Sequence, residues 1–271
     1  MDHPPVKEPY MRAVRLLLVL VAATSLTACL NSTTLVKLKP DGSGTVEQTT
    51  LINMAALKGM AGAQSSAPMS NREELERTAA KMGKGVRLLS TEPIKGAGGF
   101  EGTKATFSFD DINQVEISQD PNMGGDVRAG AKSESPVKFN FTRNAGTSTL
   151  TINIADRPGG AKPESPAAPS EMPDLTNPMI MGMIKSMFQG FKINIDLEVL
   201  GSIVKTNAEY VAGPRITMLE MDMAALLADE AKLKALQGKV GPDASFSDIK
   251  PYLKDIKGIK IDGPSISVEF K

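Results

Sequence analysis

Residues 191–199 read Phe-Lys-Ile-Asn-Ile-Asp-Leu-Glu-Val, apolar at every odd position and polar at every even one. Successive side chains of a strand point to opposite faces, so this period of two gives one dry face and one wet face. The same alternation returns at Ala105, Phe107 and Phe109, at Val137, Phe139 and Phe141, at Leu150, Ile152 and Ile154, and at Ile266, Val268 and Phe270. Compact turn sequences punctuate these runs: Pro40-Asp41-Gly42-Ser43-Gly44, Asn144-Ala145-Gly146, Gly213-Pro214 and Gly263-Pro264. Short turns join antiparallel neighbours, because a parallel pair needs a long crossover. The predicted fold is therefore α+β, an antiparallel β-sheet with helices packed on its covered face. Residues 203–211 and 215–221 follow 191–199 as two more strands, which predicts a meander, and one sheet could hold every strand.

Helices should supply the cover. Ser70 and Glu73 have capping-box spacing, so a helix should run to Met82 and stop at Gly83, burying Leu75, Ala79 and Met82. Asp222 caps a second helix, Met223 to Gln237, with Gly238 as its stop and Leu226, Leu227, Leu233 and Leu236 as its stripe. Residues 243–257 hold a short one. Asn177 to Gln189 is rich in methionine, with Ile180, Met183, Ile184, Met187 and Phe191 on one face at helical spacing and Met179, Met181 and Phe188 widening it. The plain reading is a helix packed on the sheet. The functional reading is an adaptable apolar lid or a membrane-facing element, since methionine surfaces re-pack around varied partners. On that reading Met183, Met187, Phe191, Ile193 and Ile195 form the ligand-binding set, for a lipid or another apolar molecule.

Residues 157–175 are proline-rich and poor in large apolar side chains, a linker or a long loop. They separate residues 29–156 from 176–271, read as two halves of one α+β domain, with a separate second lobe as the alternative. Residues 54–69 and 120–135 read as loops.

The N-terminus gives an address. From Met11, two arginines precede the apolar run Leu16 to Ala23, and small residues lead to Leu26-Thr27-Ala28-Cys29. Basic, apolar and small segments in that order make a secretory signal. The apolar run is about half the ~20 residues a membrane-spanning helix needs. Met11 is the expected start, since the ten residues before it do not fit a signal. The tetrapeptide Leu26 to Cys29 resembles the lipobox of bacterial lipoproteins. That resemblance implies cleavage of residues 1–28, a diacylglyceryl group on Cys29, and a protein held at the cell envelope on the extracytoplasmic side. Leu30, where an Asp would favour inner-membrane retention in that class, leans the address towards an outer membrane in a two-membrane organism. Two or three acyl chains anchor stably where one does not.

Composition narrows the chemistry. The chain has one Cys and one His, and the His at position 3 falls in the removed segment. A mature chain from Cys29 then has no histidine and no free thiol, which excludes nitrogen or sulfur metal sites and Ser-His or Cys-His catalysis. No cofactor fingerprint stands out, and neither a cofactor nor a metal is expected. Asp110 and Asp111 are adjacent acids, which on a strand would point to opposite faces and make no acid–base pair. An enzyme is not the expected reading, although carboxylate chemistry stays open. Removing residues 1–28 takes three basic and two acidic residues from 31 and 31, leaving 28 against 29. A near-neutral chain without Trp has no footprint for nucleic acid.

After Cys29 the chain enters Leu35-Val36-Lys37-Leu38-Lys39, the Pro40 to Gly44 turn, and a second run, Thr45 to Asn53. This hairpin resembles the opening hairpin of LppM-like bacterial lipoproteins, which implies an α+β fold and lipid or glycolipid binding. Two expectations follow: a membrane-anchored binding module for an apolar ligand, or an envelope-assembly lipoprotein that works through protein contacts.

Overall fold

The computed structural model describes residues 30–54, 71–118, 136–154, 178–188, 190–236 and 246–271. Two sheets organise the chain. The larger has the strand order β10-β11-β8-β1-β2-β4-β3, with β12 also paired to β11. Its members are β1 (Leu30–Leu38), β2 (Gly44–Asn53), β3 (Arg87–Lys95), β4 (Phe100–Phe109), β8 (Lys192–Val199), β10 (Val211–Ala212), β11 (Arg215–Asp222) and β12 (Ile259–Ile261). The smaller runs β5-β6-β7-β13-β9, from β5 (Glu116–Ser118), β6 (Pro136–Arg143), β7 (Ser148–Ile154), β9 (Ile203–Thr206) and β13 (Ser265–Phe270). Five helices accompany them among the described residues: α1 (Arg72–Met82), α2 (Pro178–Met187), α3 (Met223–Ala228), α4 (Glu230–Leu236) and α5 (Phe246–Leu253). The fold is α+β, as its alternation predicts.

The apolar rows do what their period demands. Val36, Val46, Phe107, Leu197 and Ile216 are fully buried in the larger sheet, and Leu150, Ile152, Ile266, Val268 and Phe270 in the smaller one. Both rows join a single contiguous core with Leu75, Ala79 and Met82 of α1, Met181 of α2, Leu226 and Leu227 of α3, and Leu233 and Leu236 of α4. The first turn is closed locally. The Asp41 carboxylate accepts from the Ser43 amide at 2.9 Å and its hydroxyl at 2.7 Å. Those bonds hold its pKa below the usual carboxylate value.

Several expectations are corrected. One sheet becomes two, because period two fixes which face a residue takes but not which strand it pairs with. The meander fails at Gly201. Leu200 N–H donates to Leu38 O at 2.7 Å, and Ser202 exchanges backbone bonds with Lys271. A Cβ on Gly201 would lie 2.3 Å from Lys271 O, so glycine lets the chain cross from the larger sheet into β9 of the smaller. β11 then pairs directly with β8, antiparallel, while β8 pairs with β1 in parallel. Asn71, not Ser70, caps α1, its side chain accepting from Glu74 N at 2.8 Å. The helix expected over 223–237 breaks at Asp229, whose carboxylate accepts from Lys232 N at 3.0 Å and starts α4.

Candidate functional site

Cys29, the residue expected to be acylated, directly precedes β1 in the sequence. β1 begins at Leu30, which is 6% exposed and in register with Ile52 of β2 and, through Asn31, with Lys192 of β8. Residues 1–29, and with them Cys29 and the lipobox-like Leu26 to Cys29, lie outside the described residues. β1 is a central strand, so its first residue stands in the middle of one end of the larger sheet. The register brings specific residues there: Asn53 and Phe100, Lys95 and Glu101, Lys192 and Asp222, Met221 and Ile259.

The Leu30 end of the larger sheet carries an aromatic cluster. Phe188 and Phe191 meet edge to face, with centroids 5.9 Å apart. Gly190, at φ +84°, sits between them, and a Cβ there would be 3.0 Å from the Phe100 ring. Leu51, Ile52, Phe100, Phe188 and Met223 are half-buried. Lys192 pairs with Asp222 at 2.6 Å beside them, and Asp222 also accepts from Ala224 N and Ala225 N to cap α3. The opposite end of the sheet carries Asp41 and an exposed Arg87–Asp110 pair at 2.8 Å.

The expected ligand-binding residues are distributed as follows. Phe191 is 8% exposed, Ile195 is 3% exposed, and Ile193 is partly buried against the core. Met183 and Met187 lie on α2, and their side chains are outside the described set. The described face of α2 that packs on the core is Met181, Ile184 and Phe188, at helical spacing. A Lys185–Glu230 pair at 3.1 Å ties α2 to α4.

The acidic neighbours have structural work. Asp110 takes the Arg87 guanidinium through both oxygens. Asp111 caps a short 3₁₀ turn, accepting from Asn113 N at 3.0 Å. Among the described residues no group of three His, Cys, Asp or Glu side chains could hold a metal ion, and no helix is long and apolar enough to cross a membrane.

Two polar sites escaped the sequence. On β8 the even-numbered Asp196, expected on the wet face, is 4% exposed. Its Oδ2 accepts from Asn194 Nδ2 at 3.1 Å and lies 3.9 Å from Arg215, while its Oδ1 and Asn194 Oδ1 have no hydrogen-bond partner. The second is Asp262, buried at the end of β12. Burial pushes its carboxyl up, against the lowering pull of the Gly263 and Glu209 amides that it accepts from at 2.7 and 3.0 Å. Tyr210 beside it is raised by burial and by Glu209. A cleft lined by Tyr210, Lys250, Leu253, Lys254, Ile259 and Ile261 opens nearby, with room for about one water. The available signal for Asp262 was its place between a strand and Gly263-Pro264. For Asp196 there was none.

No family model and no curated protein matches the sequence. The two sheets with flanking helices define an α+β domain, and among solved structures the chain is similar to one such domain. That structure is the folded domain of LppM from Mycobacterium tuberculosis, determined by NMR, at 11% identity and a TM-score of 0.37, over 90% of this chain and 91% of that one.

Proposed function

We propose that the chain is a bacterial lipoprotein whose folded domain is a non-catalytic binding module, held at the cell envelope by a diacylglyceryl group on Cys29. The observation that carries this reading is the join between address and fold. The lipobox-like Leu26-Thr27-Ala28-Cys29 ends where β1 starts. The non-catalytic part rests on the histidine-free mature chain and on Asp110 and Asp111, both engaged in local structure. In a two-membrane organism, Leu30 and Asn31 after the cysteine favour the outer membrane. The ligand is an apolar one, a lipid among them, admitted where Phe188, just after α2, meets Phe191, with Ile193 and Ile195 further along β8. Phe191 and Ile195 are buried and Ile193 partly so, so α2 has to shift to admit it, and a methionine-rich helix is suited to shifting.

Two measurements test this. Palmitate incorporation and the intact mass of protein from the membrane fraction should show acylation, and Cys29→Ser should abolish it. A bare thiol with an uncut leader removes the reading. Mass spectrometry of solvent extracts of the purified protein should show a co-purifying apolar molecule, and an empty protein that takes up no apolar dye removes the ligand.

A second reading, an envelope-assembly lipoprotein working through protein contacts, is favoured by the smaller sheet's outer face. Asn140, Asn153, Ser265 and Ser267 are exposed there. Crosslinking in cells from Asn140 and Ser267 should recover a defined partner, and recovery of abundant bystanders alone counts against it.

A further inference from the structure

We propose that Asn194 and Asp196, on the outer face of the larger sheet, form a binding site for a primary ammonium group. The inference is independent of the ligand read at α2, since the even-numbered residues of β8 face away from Ile193 and Ile195.

The site starts from two oxygens without a donor. Asp196 is 4% exposed, and its Oδ1 and Asn194 Oδ1 are both buried with no hydrogen-bond partner in the chain. A buried acceptor left unpaired is costly, more so when charged, and native chains keep few of them. Asn194 Nδ2 donates to Asp196 Oδ2 at 3.1 Å, which ties the two side chains together on one face.

Charge says what kind of donor is missing. Arg215 takes Glu198 at 3.1 Å and stands 3.9 Å from Asp196, one guanidinium between two carboxylates. The lysines nearby are engaged elsewhere: Lys37 holds Glu47, Lys192 holds Asp222 and Lys260 holds Glu220. A buried carboxylate without a close partner calls for positive charge. A water would donate to both oxygens but bring no charge, and an anion would be repelled. A divalent metal ion needs more oxygen ligands than this pair supplies, and no third acidic, His or Cys side chain joins it among the described residues. An ammonium brings both the charge and three donors. Two of them reach the orphaned oxygens. Register sets Thr33 beside Asn194 and Thr217 beside Asp196, both half-buried, and their hydroxyls offer acceptors for the third. Leu35, half-buried on the other side of Asp196, gives the carbon stem of the amine an apolar contact.

Asp196→Asn probes the site directly, because it removes the charge and keeps the shape. The full chain, in detergent, is unfolded in urea with ethylammonium chloride, and with potassium chloride or tetramethylammonium chloride at equal ionic strength. A ligand that binds only the folded state raises the midpoint as it fills its site. Ethylammonium should give a saturable rise in the wild type and none in Asp196→Asn, and the other two cations should give none in either. Glu47→Gln removes a different carboxylate of the same outer face and should keep the wild-type rise. In 15N NMR spectra of the wild type, the Asn194 side-chain amide and the Thr217 backbone amide should shift over the same concentrations, a readout that needs no variant. Glycerophosphoethanolamine and glycerophosphocholine distinguish the sources of the amine. A rise with the first at lower concentration than ethylammonium, and none with the second, supports the site and assigns it to a lipid headgroup. A stronger response to ethylammonium supports it as a site for a free amine. No rise with ethylammonium overturns the proposal, as does an equal rise with potassium or tetramethylammonium. A rise that survives in Asp196→Asn puts the amine elsewhere and overturns it too.

Discussion

The two sheets bury their inner rows equally and treat their outer rows differently. Leu197 and Ile152 are both fully buried, and either could be exchanged for the other as a description of core. Outside, the larger sheet carries charge that is already spoken for. Glu47 holds Lys37 at 2.5 Å and Lys104 at 3.0 Å across three strands, and Arg215 holds Glu198 at 3.1 Å beside the buried Asp196. The smaller sheet carries Asn140 opposite Thr151, and Thr151 opposite Ser267, with one cross-strand pair, Lys138–Glu116 at 3.1 Å, beside them. The larger sheet's outer row is dominated by paired charge, and the smaller one's by amides and hydroxyls.

The comparison breaks most visibly if the inner rows are not the source of stability. Leu197→Ala should cost about 2–5 kcal/mol, the transfer energy of the lost carbons plus the cavity left among Val36, Ile216 and their neighbours. Thr151→Val, on the smaller sheet's outer row, should stay within about 0.5 kcal/mol. Urea unfolding of both variants decides the matter, and similar costs would mean that the outer row is packed against something.

The next effect is smaller and opposite in sign. Asp196 keeps a carboxylate out of water with one oxygen unpaired, an arrangement that costs more than a single hydrogen bond returns. Asp196→Asn removes the charge and fills nearly the same space. It should raise stability by about 1 kcal/mol, read as a higher urea midpoint at unchanged slope. A clear loss would instead show that Asp196 and Arg215 form a productive pair despite their 3.9 Å separation.

Much of this contrast was legible beforehand, and the reason is periodicity. Alternation in residues 100–109, 137–141, 150–154 and 191–199 names the inner residues one by one. It is silent on partners, so β8 beside β1 in parallel could not be read, nor could β9 crossing to the other sheet at Gly201. It is silent on depth as well, since an even position means an outer face and says nothing about whether water reaches it, which is how Asp196 was misplaced. Asp229-Glu230 was a readable second cap, hidden because the leucine stripe runs through it.

The finest distinction is electrostatic, between a carboxylate on the larger sheet's outer row and one buried just beyond β12, and pH resolves it. Burial raises the Glu47 carboxyl, but hydrogen bonds from Lys37 and Lys104 outweigh burial and bring it below its usual value of 4.5. A carboxylate lowered in the folded state adds stability that is fully present above its unfolded value and is lost as pH falls through the folded one. Glu47→Gln should therefore cost about 0.5–1 kcal/mol at neutral pH and nothing once the pH is below the folded value. Asp262 runs the other way. Burial raises it above 3.8, so its contribution is fully present below that value and fades as pH rises through the folded one. Wild-type stability across the acid range then combines the rising contributions of Asp41 and Glu47 with the falling one of Asp262. Glu47→Gln should leave a curve that climbs less with pH than the wild type, and Asp262→Asn one that climbs more. Parallel curves for the two variants would show that neither carboxylate is where its neighbours place it.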